Sequence, residues 1–211
     1  VIDRVLVSTN IPRLFKQTLF RDYDTKRRPG TASVLRELDK WNPTDSHPFA
    51  LLQGPPNVGK TMLASALENE YHSGYAVPEN VDAETATVLR QKKCPLYFIQ
   101  LAELIDLHLR AFRLQGLVEK GLQEPDEFLE IDKLLQDLKN RVKVLVIDDV
   151  GKEHRTSSGF AEDAFDLLVR TRHNAGLTTV FTTNLPIKKW SYQYSDSMQS
   201  LIERSSVVLS F

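Results

Sequence analysis

The eight residues GPPNVGKT, Gly54 to Thr61, restrict what this chain can fold into more than any other stretch. They satisfy the pattern G-x-x-x-x-G-K-[ST] at every fixed position, and such a turn works only between a strand and a helix. Both flanks agree. FALLQG before it is an apolar run of strand length, and Met62, Leu63, Ala66 and Leu67 after it have helical spacing. A turn of this kind surrounds a phosphate with backbone N–H donors, aided by the N-terminus of the following helix. Gly54 and Gly59 let the chain come close, Lys60 reaches the β and γ phosphates, and the Thr61 hydroxyl takes a place on Mg²⁺. The candidate nucleotide-binding residues are therefore Gly54, Pro55, Pro56, Asn57, Val58, Gly59, Lys60, Thr61 and Met62.

The rest of the chain reads as strands alternating with helices. CPLYFIQ is a second strand, VKVLVIDDVG a third, LTTVFTTNLP a fourth and SVVLSF a fifth. The third is nearly unbroken in its apolar character, which predicts burial on both faces, as in a parallel sheet with helices on each side. Helices are predicted in TASVLRELDKW, in LAELIDLHLRAFRLQGLVEKG, beyond Pro125, and in GFAEDAFDLLVRTRHNAG up to Gly176. The pattern predicts a three-layer α/β domain with a mainly parallel sheet. With 211 residues the chain is sized for one such domain. Residues 1–44 read as a lead-in segment that packs on the core, and 45–211 as the core itself.

Two further strand ends carry chemistry. Asp148 and Asp149 stand at the carboxyl end of the third strand, where open α/β sheets bind their ligands. Asp148 fits the carboxylate that orients Mg²⁺, and Asp149 fits the base that orients an attacking water. Asn184, at the end of the fourth strand, can touch the γ-phosphate or that water if this strand lies between the two motif strands. Together these residues predict a nucleoside triphosphatase. The guanine-reading pattern N-K-x-D is absent, so ATP/ADP is the expected nucleotide.

Composition bears mainly on exclusions. A net charge of -1 exerts no global pull on nucleic acid, so any such contact must come from a local patch or an assembly. No apolar run is long enough to cross a bilayer. The lone Cys94 makes no internal disulfide and no signal-peptide pattern is present, which fits a cytoplasmic location. The five histidines show no metal-ligand spacing with the cysteine.

GPPNVGKT, LVIDDVG and VFTTNLP, in this order, resemble the AAA+ P-loop NTPases, and specifically the bacterial DnaC/DnaI-type helicase loaders and the IstB-type transposition helper ATPases. IPRLFKQTLFRDYD is similar to the P-x-x-F … T-F-x-x-Y lead-in of that group, so the likeness runs from about Ile11 to Phe211. The resemblance implies a five-stranded sheet in the order 5-1-4-3-2 and homo-oligomers with ATP between subunits. It implies slow conversion of ATP and water to ADP and phosphate, stimulated by assembly or DNA. It also implies an arginine lent to the neighbouring site, for which SLIERSS supplies Arg204.

In the initiator and loader branch an extra helical element follows the second strand and touches single-stranded DNA. LIDLHLRAFRLQGLVEK is long enough to be that element, making Arg110 and Arg113 candidates for phosphate contacts. A loader would act on a replicative DnaB-type helicase in replication initiation or restart. A transposition helper on duplex DNA, or a nucleotide-binding regulatory module with little turnover, are the alternatives. Two departures from the group are expected to matter: the second-sensor helix and the helicase-gripping module do not occur between Val1 and Phe211, as in a truncated or fragmentary chain.

Overall fold

The computed structural model describes residues 8–26, 31–43, 47–74, 78, 81–152 and 159–211. Strands β1 (Phe49–Gln53), β2 (Leu96–Gln100), β3 (Val144–Val150), β4 (Thr178–Thr183) and β5 (Ser206–Ser210) form a single sheet in the order β2-β3-β4-β1-β5. All four pairings are parallel. This is the expected 5-1-4-3-2 order read from the other edge, with β4 inserted between β1 and β3.

Helices α1 (Thr31–Lys40), α2 (Lys60–Ser73), α3 (Ala83–Lys93), α4 (Leu101–Glu119), α5 (Asp126–Asn140), α6 (Phe160–Asn174), α7 (Trp190–Gln193) and α8 (Asp196–Ser205) cover the sheet. Alternation along the strands divides the core into two layers. Phe49, Leu51, Ile99, Leu145, Ile147 and Phe181 cluster with apolar residues of α4, α5, α6 and α8. Ala50, Leu52, Phe98, Val146, Val180 and Leu209 cluster with α1, α2 and the lead-in. Val144 to Ile147 are buried throughout, the double burial that the apolar run of β3 predicts.

The lead-in lies on the second layer. Ile11 and Tyr23 are buried there, and the Asn69 side-chain amide of α2 donates to the Phe15 and Thr18 carbonyls at 2.9 and 2.8 Å. The Phe98 N–H donates to the Thr9 carbonyl at 2.8 Å, and the Asn10 amide donates to the Phe98 carbonyl at 2.8 Å. A backbone carbonyl and a side-chain amide of the lead-in thus satisfy both main-chain groups of Phe98 on β2, an edge strand that would otherwise present them unpaired.

Element boundaries differ from the sequence reading in explicable ways. Helix α4 stops at Glu119, and Gly121 at φ +67° turns the chain in the left-handed region. Strand β2 starts only at Leu96, because the Pro95 carbonyl accepts from Lys143 N–H at 2.7 Å while proline itself has no N–H to give. Helix α3 is absent from the sequence reading; its start is marked by Asp82, whose carboxylate accepts from Thr85 N–H at 2.9 Å.

Far from the carboxyl edge, Arg172 of α6 is fully buried. Its guanidinium donates to the Leu138, Val142 and Thr178 carbonyls at 2.6, 2.9 and 2.6 Å and to the Thr179 hydroxyl at 2.9 Å. These bonds tie α5, the approach to β3 and the start of β4 together. Burial pushes its pKa down to about 9.

Candidate nucleotide-binding site

The phosphate loop leaves β1 at Gly54 and enters α2 at Lys60. Two of its positions need glycine or a residue tolerant of the left-handed region: Gly59 has φ +97° and Asn57 φ +65°. Gly54 is required for space, since a Cβ there would stand 2.7 Å from the Phe211 Cβ. Lys60 is 6% exposed, and its ammonium donates to the Gly54 carbonyl at 2.9 Å, the Pro55 carbonyl at 2.8 Å and Asn184 Oδ1 at 2.7 Å. Desolvation lowers its pKa, while the nearby Asp149 and Asp148 carboxylates oppose that shift.

Asp148 is 2% exposed at the end of β3. Its carboxylate accepts from the Thr182 hydroxyl at 2.5 Å and from the Thr61 hydroxyl at 3.0 Å. Burial raises its pKa, and the two hydroxyls partly offset the rise by favouring the charged form.

On a regular strand Asp149 would face away from its neighbour. It does not, because the β3–β4 register shifts between Ile147 and Val150: Ile147 pairs with Phe181 and Val150 with Thr183. One extra residue is inserted in β3, and Asp149 takes φ +60° as its bulge. Its N–H donates to the Thr182 hydroxyl at 3.0 Å, and its carboxylate pairs with the Lys152 ammonium at 2.8 Å. Asp148 and Asp149 thereby line the same cavity, of about 630 Å³, together with Lys60, Thr61 and Asn184.

That cavity is also lined by Pro56, Asn57, Gly59 and Met62 of the loop region, whereas Gly54, Pro55 and Val58 are not among its lining residues. Pro12, Leu14 and Phe15 of the lead-in, Gln100 and Lys152 line it as well. Sequence reading missed these five and Thr182; the threonine pairs of TTVFTT, hydroxyls at a strand end beside two carboxylates, were the available signal for Thr182.

Arg204, Arg110 and Arg113 are not brought to the cavity. Arg204 is exposed on α8, its guanidinium donating to the Ser200 carbonyl at 3.2 Å. Arg110 and Arg113 are exposed on α4, and Arg110 pairs with Glu127 of α5 at 2.5 Å.

The donor set suits a polyphosphate with a hard divalent cation. The loop offers backbone N–H groups and an ammonium, and the Thr61 hydroxyl and Asp148 carboxylate are the oxygen ligands that Mg²⁺ takes. Among the described residues no helix is long and apolar enough to cross a membrane.

Comparison with known proteins bears on the fold and the family. No curated protein sequence matches the chain. Among solved structures, the DnaC helicase loader is similar over 95% of this chain and 99% of its own, with a TM-score of 0.60 at 20% identity. DnaI is similar over 94% of this chain and 93% of its own, with a TM-score of 0.61 at 20% identity. AMPPCP-bound DnaA from Aquifex aeolicus is similar over 95% of this chain and 51% of its own, with a TM-score of 0.58 at 17% identity. At such identities the likeness is one of fold. The family model that matches covers residues 50–189, a span holding the phosphate loop, both carboxylates and Asn184. The chain belongs to the ATPase family associated with various cellular activities, AAA.

Proposed function

We propose that this protein is a cytoplasmic AAA+ ATPase that places a replicative, DnaB-type helicase on DNA during the initiation or restart of replication. The convergence of Lys60, Thr61, Asp148, Asp149 and Asn184 on one cavity carries the nucleotide part of this reading. The end-to-end likeness of fold to a helicase loader supports the rest.

In this reading Lys60 leaves the Gly54 and Pro55 carbonyls for the β and γ phosphates of ATP. Thr61 and Asp148 hold Mg²⁺, which when bound neutralises charge on the phosphate oxygens and orients them. Asp149 accepts a hydrogen bond from the attacking water, and Asn184 steadies that water or the γ-phosphate. Arg204 acts on the site of a neighbouring copy in a homo-oligomer, which is consistent with its exposure and with its not lining the cavity of its own chain. Arg110 and Arg113 contact the phosphates of single-stranded DNA, where Arg110 must exchange its Glu127 partner. Residues 1–44 serve as the lead-in to a core of 45–211.

The test is the native mass of the protein mixed with its host's replicative helicase, with ATP and Mg²⁺ and again without nucleotide. A stoichiometric, nucleotide-dependent complex is expected. Its absence would refute the loader reading, and ATP-dependent self-assembly on duplex DNA would point to a transposition helper instead. Lys60→Ala should weaken ATP binding at least about tenfold, the loss of one charge-assisted contact set. Undiminished ATP binding and turnover would remove Lys60 from the site.

A further inference from the structure

We infer that Tyr23 is a positioning residue for the phosphate loop, holding the Val58 carbonyl outward so that the Gly59 N–H is aimed at a bound phosphate. The inference rests on the nucleotide-binding reading of the loop. Tyr23 is 7% exposed, and its hydroxyl donates to the Val58 carbonyl at 2.5 Å. The peptide joining Val58 to Gly59 is trans, so the Gly59 N–H points opposite to that carbonyl. Gly59 lines the cavity, and among the described residues its N–H has no hydrogen-bond partner.

The loop needs such a brace because little else fixes this peptide plane. Gly59 at φ +97° can exchange between positive and negative φ at small cost, and a flip would turn a carbonyl dipole toward the phosphate. Lys60 anchors the inner side of the loop only at Gly54 and Pro55, before the peptide in question. Tyr23 is the donor on the outer side.

Tyr23 is itself held by α2, the helix that the loop begins. A single helical turn, Phe20–Asp22, precedes it, closed by the Asp22 carboxylate accepting from Leu19 N–H at 2.8 Å. Asn69 of α2 fixes the Phe15 and Thr18 carbonyls. The hydroxyl is thus referenced to the same helix whose N-terminus receives the phosphate.

Tyr23→Phe keeps the ring and removes only the hydroxyl. ADP affinity, measured calorimetrically on the full chain, should weaken about three- to tenfold, the usual worth of one neutral hydrogen bond. The KM for ATP should rise by the same factor with kcat held within about twofold, since the contact is equal in ground and transition states. Without nucleotide the melting temperature should stay within about 5 °C of the unmodified protein. The Gly59 backbone amide resonance should broaden in the nucleotide-free variant, reporting exchange of the peptide plane.

Unchanged ADP affinity in the variant, with ADP bound normally by the unmodified protein, would overturn the positioning role alone. A melting temperature lowered by more than about 5 °C with a sharp, unshifted Gly59 amide would overturn it in favour of packing. Failure of the unmodified protein to bind ADP would overturn the nucleotide reading and this inference with it.

Discussion

Glu68 offers a test of the packing that is independent of any ligand. It lies in α2, is 0% exposed, and neither carboxyl oxygen has a hydrogen-bond partner among the described residues. Burial alone pushes its pKa well above the ordinary value. The folded chain therefore keeps a proton that the unfolded chain has released, so it binds more protons than the unfolded state. Stability is then fully present below the ordinary carboxyl value and falls as pH rises above it. One proton of difference corresponds to about 1.4 kcal/mol per pH unit until the folded-state pKa is passed. For a chain of this size that is roughly 3–6 °C of melting temperature per unit.

Glu68→Met removes both the titration and the unpaired oxygens while keeping an unbranched side chain that can adapt to the space. The variant should already be about 1–3 kcal/mol more stable near pH 4.5, where only the unsatisfied neutral carboxyl is relieved. Its advantage should widen toward neutral pH. Melting curves of both proteins from pH 4.5 to 7.5, taken as a difference, cancel the titrations that the two share. Parallel profiles, or a variant that melts lower throughout, would show that Glu68 has a favourable partner or is not buried as described.

Asp149→Asn preserves shape and loses the carboxylate, so ATP binding should persist while hydrolysis slows about 10²–10⁴-fold; equal loss of binding would give Asp149 a structural role instead. Arg204→Ala should leave nucleotide affinity of the isolated chain intact and lower assembly-dependent turnover about 10³-fold or more. Normal turnover in the assembled variant would rule out its action across subunits. Arg172→Met strands three buried carbonyls and a hydroxyl, and should lower unfolding free energy by at least about 3 kcal/mol in urea titration; a loss under about 1 kcal/mol would contradict the bonding described.

What could be read from the sequence follows from how local its cause is. The phosphate loop was legible because its glycines, lysine and threonine act within one turn, and β3 because four consecutive apolar residues have no other economical placement. The sheet order came with the resemblance; Asn184 was legible from its place at a strand end, while its direct bond to Lys60 was not. Arg172 and Glu68 were illegible, since a charged residue in an otherwise amphipathic helix reads as solvent-facing. Tyr23 was illegible for a different reason: its partner, Val58, lies 35 residues away. The inward turn of Asp149 depends on a register shift that only the neighbouring strand reveals.

That inserted residue sets two demands on β3 against each other. Deleting it would give a more regular strand, with every main-chain group of the pair in step, and would send the second carboxylate into the opposite core layer or remove it. Length variation between Ile147 and Val150 is thus a different kind of change from length variation in the surrounding loops. A sheet redesigned for regularity at this point would gain thermal resistance and lose the juxtaposition of two acids that the fold otherwise has no means of producing.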